Sequence, residues 1–235
     1  MSDRPHLVFV PGLLCDAALW AHQIGHMEDI ADCHVGDTRS DDTIAGMAHT
    51  ILQGAPQRFA LAGLSMGGYV SFEIMRQAPE RVVRLALLDT AATPDTEERR
   101  QRRLDLIKLA EIGEFKGVAP RLLPQFIHPD RLLDGTLTDA IMEMTQRVGK
   151  DAFLRQQNAI MGRADSRPHL SAIKVPTLVL CGRGDVMTPV ERHVEIAEAI
   201  PKARLAIVED SGHLTTMERP QAVTALLRDW MIYDR

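Results

Sequence analysis

The sequence predicts an α/β fold, a mostly parallel, doubly wound sheet of about six strands with a helical cap insertion. Three observations predict it. Short, nearly continuous apolar runs alternate with segments of helical period, as strands buried on both faces of a parallel sheet require. Prolines bound the helical segments between the runs, Pro79 and Pro201 stopping two of them and Pro220 starting the last. A single long stretch, 92–170, breaks this rhythm and carries no convincing strand.

Taken in chain order, the first strand is 6–10, HLVFV, and it runs into Pro11-Gly12. Asp16 then suits the cap of a helix carrying Leu19, Trp20 and Ile24. Residues 32–36 form a weaker strand candidate. The run 59–62 leads into a helix over 66–78 that Pro79 stops. Further strands are expected at 82–88, 176–180 and 203–208, with helices at 190–200 and from Pro220 onward. Between them, 92–170 reads as a charged helix over 97–111 and shorter helical segments around 122–126, 138–148 and 152–161. The expected organisation is a core made of 1–91 and 171–235 and a helical cap, or lid, made of 92–170. A lid so placed covers the carboxyl edge of the sheet, where open α/β folds bind ligands. The run EERRQRR at 97–103 is expected to be a solvated helix face with i,i+4 pairs.

Bulk properties exclude several function classes. The 235 residues are 45% apolar and 25% charged, with a net charge of −5, so a phosphate backbone is a poor partner. No apolar stretch approaches the roughly 18 residues of a membrane helix, and the N-terminus lacks a secretory h-region. A cytoplasmic location is the expectation, with a monomer and a homodimer both open. Cys15, Cys33 and Cys181 form no close pair, and no His, Asp or Glu cluster has metal spacing, so neither a metal nor an organic cofactor is expected. Cys15 lies near a candidate loop and could be a nucleophile; a buried small hydrophobe is the preferred reading.

The chemistry-bearing stretch is 63–67, GLSMG. A serine hydroxyl is a weak nucleophile that needs both exposure and an adjacent base. In G-x-S-x-G the serine occupies a sharp strand-to-helix turn, and small neighbours let the two backbones close on each other. Here a strand precedes Ser65 and a helix follows it, with the helix N-terminus aimed at the site. Of nine histidines, His213 in EDSGH lies just past the final strand, on the edge where Ser65 emerges. Asp185, in CGRGD after the preceding strand, is the expected orienting acid; Asp89 is its competitor and otherwise caps or lines the pocket. The order Ser65, Asp185, His213 suits this architecture. An oxyanion needs preorganised donors, for which the backbone N–H groups of Met66 and Leu13 are the candidates.

The phrases PGLLCDAALW, GLSMGGYVSFEI, VPTLVLCGRGDVMTP and EDSGHLTTMERP resemble the α/β-hydrolase family, in particular its small capped esterases and lactonases. The likeness spans the chain apart from the cap, which is matched only as helical. It implies Ser65 as nucleophile, His213 as base, Asp185 as acid, and Leu13 and Met66 as oxyanion amides. Two departures stand out. Pro11-Gly12 replaces the His-Gly common in the first loop, and the chain starts at what resembles the family's third strand, so an all-parallel six-stranded sheet is expected. The implied reaction is hydrolysis of a small or medium apolar acyl ester without a cofactor. An enol-lactone of the 3-oxoadipate type and a slowly turning-over ligand receptor are the alternatives. Trp20, Phe126, Met142 and Met161 are the candidate pocket residues, and Arg121, Arg155 or Arg163 could serve an anionic lactone.

Overall fold

The computed structural model describes residues 4–113, 115–118 and 120–233. The first three and last two residues of the expected core, and positions 114 and 119 of the expected cap, lie outside them. Six strands form one all-parallel sheet: β1 (His6–Val10), β2 (Asp32–Val35), β3 (Phe59–Leu64), β4 (Val82–Leu88), β5 (Thr177–Gly182) and β6 (Ala203–Val208). Their spatial order is β2-β1-β3-β4-β5-β6. The weak candidate at 32–36 is therefore a real strand, at one edge of the sheet.

The helices are α1 (Ala21–Gly25), α2 (Ile44–Gly54), α3 (Met66–Gln77), α4 (Glu97–Ile112), α5 (Gly135–Met161), α6 (Val190–Ala199), α7 (Thr215–Glu218) and α8 (Pro220–Ile232). Asp16 caps a short 3₁₀ turn, Ala17–Trp20, by accepting the Ala18 N–H at 2.9 Å, and α1 follows it. Between β4 and β5 the described residues form helices and turns without a strand. Helix α5 spans both helical segments expected there and bends at Gly149, whose φ is 82°.

Strand periodicity divides the core into two layers. Leu7 and Phe9 of β1 face one side, with Trp20 and the α8 residues Val223, Leu227 and Trp230. Val8 and Val10 face the other, with Met47 and Ile51 of α2, Val70 and Ile74 of α3, and Ile196 of α6. β3 and β5 are buried along their whole length, which explains why they read as continuous apolar runs.

Register decides what the sheet presents. Val10 pairs Gly63, Leu64 pairs Leu88, Leu88 pairs Leu180, and Gly182 pairs Val208. The strands thus end nearly level, and their following loops share one edge. The chain leaves β1 toward β2 and returns on its other side as β3, so the topological switch falls between β1 and β3, where such sheets open a ligand crevice.

Candidate active site

Ser65 occupies the one-residue turn between β3 and α3. Its backbone sits at φ 57° and ψ −115°, a conformation that L-residues rarely adopt. Two hydrogen bonds hold it there: Ser65 N–H donates to the Leu88 carbonyl at 2.9 Å, and Thr90 Oγ1 donates to the Ser65 carbonyl at 2.8 Å. The flanking glycines make the turn possible by close approach. A Cβ on Gly63 would fall 2.2 Å from the Gly67 carbonyl oxygen, and one on Gly67 would fall 2.0 Å from that of Val10.

Three side chains from three loops meet in line. His213 Nε2 lies 2.8 Å from Ser65 Oγ, and His213 Nδ1 lies 2.8 Å from Asp185 Oδ2. His213 and Asp185 are buried and Ser65 is half-buried. Asp185 is fully engaged: Oδ1 accepts the N–H groups of Met187 and Thr188, and Oδ2 also accepts the Thr188 hydroxyl at 2.7 Å. Burial pushes its carboxyl up, but the adjacent His213 charge and the donors from His213 and Thr188 outweigh that and hold it below its ordinary value. An ionised carboxylate only accepts, so the proton of neutral His213 resides on Nδ1, and the Nε2 lone pair faces the Ser65 hydroxyl.

Behind this line sits a second carboxylate. Asp89 Oδ1 accepts the Gly182 N–H at 3.0 Å, and Oδ2 accepts the Thr215 hydroxyl at 2.5 Å. Burial, reinforced by the charge of Asp185, pushes its carboxyl well up. Asp89 is wholly buried and its two oxygens are taken by the Gly182 N–H and the Thr215 hydroxyl; it ties the end of β4 to the end of β5 and to α7. Neighbouring His193, buried on α6, accepts the Thr90 N–H through Nε2, and burial lowers its pKa to about 4.

The His213 loop is fastened from two sides. Glu218 Oε1 accepts the N–H groups of Gly212 and Leu214, the residues flanking His213, and Oε2 accepts the N–H of His128 at 2.7 Å. The Phe126 carbonyl accepts the N–H groups of His213 and Leu214 at 2.9 and 3.1 Å. Segment 126–128, from the helical stretch, is thereby strapped onto the loop that carries His213.

On the other side of Ser65 runs the loop after β1. Gly12 is packed so closely that a Cβ there would lie 3.3 Å from Ser65 Cβ. Its carbonyl accepts the Cys15 N–H at 3.1 Å, closing a turn centred on Leu13 and Leu14. Met66 is the first residue of α3, and the first N–H groups of a helix have no intrahelical acceptor.

Other expected residues lie elsewhere. Trp20 is fully buried and stacks on Phe9 at 4.6 Å between ring centroids, so it belongs to the core and not to a pocket wall. Phe126, Met142 and Met161 are half-buried, and Phe126 reaches the site through its backbone. Cys15 is buried, which pushes its thiol up to about 12 and leaves no nucleophile there. Arg163 is committed to Asp95 at 2.9 Å and stacks over Tyr69, while Arg155 donates to the Arg39 carbonyl; Arg121 is exposed. The 97–103 run is mostly exposed, as expected of a solvated face, and its arginines also reach neighbouring segments. Arg99 reaches the Met187 carbonyl, Arg100 that of Met161, Arg102 the Gln125 side chain, and Arg103 both Asp95 and Gln157. Helix α4 is a hub because each guanidinium finds a different acceptor on a neighbouring segment.

Sequence reasoning missed Thr188, Thr215, Glu218 and Gln156. Gln156 had a signal: it interrupts the apolar stripe Ala152, Phe153, Ala159, Ile160 on α5, where a buried polar side chain must find partners. Among the described residues, no group of three or more His, Cys, Asp or Glu side chains could hold a metal ion, and no helix is long and apolar enough to cross a membrane.

A protein-family model described as the alpha/beta hydrolase family matches residues 7–226. The chain is similar to a protein of Serratia proteamaculans provisionally named a carbamate hydrolase, RutD, at 26% identity over 97% of this chain and 91% of that one. Among solved structures, it is similar to a thermophilic esterase from Thermogutta terrifontis, at 27% identity and a TM-score of 0.87, covering 98% of this chain and 91% of that one. It is also similar to the enol-lactonase from Burkholderia xenovorans LB400, at 25% identity and a TM-score of 0.89, covering 99% and 93%.

Proposed function

The chain belongs to the alpha/beta hydrolase family and is a hydrolase enzyme, and on that premise we propose that it cleaves a carboxylic ester of a small or medium apolar acyl group through an acyl-enzyme on Ser65. The observation that carries this reading is the line Ser65 Oγ–His213 Nε2–His213 Nδ1–Asp185 Oδ2, with both gaps at 2.8 Å.

Ser65 Oγ attacks the carbonyl carbon as His213 Nε2 takes its proton. Asp185 remains ionised and stabilises the imidazolium. The carbonyl oxygen, now negative, receives the backbone N–H groups of Leu13 and Met66, and the start of α3 adds its positive end. His213 then gives its proton to the departing alkoxide oxygen. Water repeats the sequence on the acyl-serine, with His213 again the base, and frees the acid and Ser65.

The helical stretch 92–170 acts as the lid in this reading, with Phe126, Met142 and Met161 as apolar pocket residues. A neutral ester is favoured over an anionic enol-lactone, because of the three candidate arginines Arg163 and Arg155 are engaged elsewhere and Arg121 is exposed at the surface. The test is turnover of p-nitrophenyl acetate and butyrate, together with labelling by a fluorophosphonate, with Ser65→Ala as control. Turnover and labelling that vanish in Ser65→Ala are expected. A wild-type protein inert to both probes overturns the reading and favours a ligand receptor.

A further inference from the structure

The turn that holds Leu13 is built against its own backbone preference. Gly12 C=O accepts the Cys15 N–H, which makes Leu13 and Leu14 its two central residues, and Leu14 has φ 57°. The second central position at positive φ favours glycine, and a leucine there persists only where its surroundings over-determine it. The missing restraint comes from 142 residues away. Gln156, wholly buried on α5, accepts the Leu14 N–H through Oε1 at 2.9 Å. Its other amide atom is committed too: Nε2 donates to the Thr38 carbonyl at 3.0 Å, which fixes which end of the amide faces Leu14.

We propose that Gln156 is a positioning residue for the oxyanion N–H of Leu13: from the helical stretch it holds the N–H of the peptide whose carbonyl receives only the weak Cys15 thiol donor at 3.4 Å. The inference rests on the esterase reading above. The peptide joining Gly12 to Leu13 has its carbonyl held by the Cys15 N–H, and the next peptide has its N–H held by Gln156. Leu13 is framed on both sides, and its own N–H is thereby aimed. Without Gln156, the turn opens to relieve Leu14, and the bond from the Cys15 N–H to the Gly12 carbonyl that holds the first peptide is lost with it. Leu13 then leaves the geometry in which its N–H meets a developing oxyanion beside Ser65. A donor used mainly in the transition state affects kcat rather than KM. Displacement by about 1 Å costs on the order of 100-fold.

The test compares wild type with Gln156→Met, which keeps the volume and removes both hydrogen bonds, and Gln156→Glu, which keeps the acceptor for Leu14. For Gln156→Met, kcat on p-nitrophenyl butyrate is expected to fall about 10- to 100-fold with KM within about twofold. Affinity for a trifluoromethyl ketone, which adds to the serine as an oxyanion, is expected to fall by the same factor. In Gln156→Glu, an ionised carboxylate repels the Thr38 carbonyl and a protonated one donates to it. Its kcat relative to wild type is therefore expected to rise as pH falls. This second variant decides the matter if the first does not fold. The inference is overturned if kcat stays within twofold in both variants. It is equally overturned if kcat falls while trifluoromethyl ketone affinity does not, or if the Gln156→Glu ratio is flat with pH. A wild type inert to ester and fluorophosphonate refutes the parent reading instead, before any variant is compared.

Discussion

Two buried aspartates lie behind His213, and replacing each with asparagine separates their roles. In Asp185→Asn, the two backbone N–H groups of Met187 and Thr188 demand an acceptor where Oδ1 stood. The new amide must therefore keep its oxygen there and turn its nitrogen toward His213 Nδ1. That nitrogen is a donor, so it forces the histidine proton onto Nε2, where it points at Ser65 Oγ. In the proposed mechanism, His213 then has no lone pair for the serine proton. A tautomer error of this kind lowers kcat about 10⁴-fold, or roughly 5.5 kcal/mol of barrier. Asp89→Asn behaves differently. The amide oxygen can keep the Gly182 N–H, and the amide nitrogen can donate to Thr215 Oγ1, whose hydroxyl rotates to accept. No donor is left facing a donor, so kcat is expected to stay within about tenfold. The assay is p-nitrophenyl butyrate hydrolysis at pH 8, with thermal melts to show that both variants fold. Equal losses, or a larger loss for Asp89→Asn, refute the reasoning and transfer the orienting role to Asp89.

Ser65→Gly and Ser65→Ala should both abolish turnover, but only glycine relieves φ 57°. A melt is therefore expected to show Ser65→Gly more stable than Ser65→Ala by about 1–2 kcal/mol, at roughly 2–4 °C for each kcal/mol. Gly67→Ala drives a Cβ to 2.0 Å from the Val10 carbonyl oxygen. It should cost about 3 kcal/mol or more, whereas Gly54→Ala, which meets nothing within 4 Å, should leave the melting temperature unchanged or higher. Asp89 has a raised pKa in the fold, so the folded state holds its proton more tightly than the unfolded chain does, and the stability this contributes is lost as pH rises through the raised value. Asp89→Asn removes that loss. Its melting temperature minus that of wild type should be more positive at pH 8 than at pH 4, and a constant difference refutes the assignment.

The sheet was legible because burial on both faces leaves an unmistakable mark. β3 and β5 are continuous apolar runs since both of their faces are covered. Ser65 was legible for a related reason. Gly63 and Gly67 are demanded by steric contact within a few residues, and local contacts leave local signals. Apart from Asp185, the members that orient others were hidden. Glu218 reads as one more charged residue near a proline, yet it accepts N–H groups from both neighbours of His213 and from His128, 90 residues away. The arginines of α4 read as a solvated face because nothing in the run EERRQRR tells which carbonyls will lie within reach.

The sequence by itself determined the order of strands and helices, the parallel sheet, and which short loops could carry chemistry. Those are consequences of hydrophobic period, proline and glycine placement, and local sterics, all of which act within about ten residues. Only the tertiary structure decided between Asp89 and Asp185 as the partner of His213, moved Trp20 into the core, and joined Gln156 to the loop of Leu13. Each of those depends on register between strands and on where α5 comes to rest. A hydrogen bond has direction and a reach of about 3 Å, so it exists only once distant segments have been set to that tolerance.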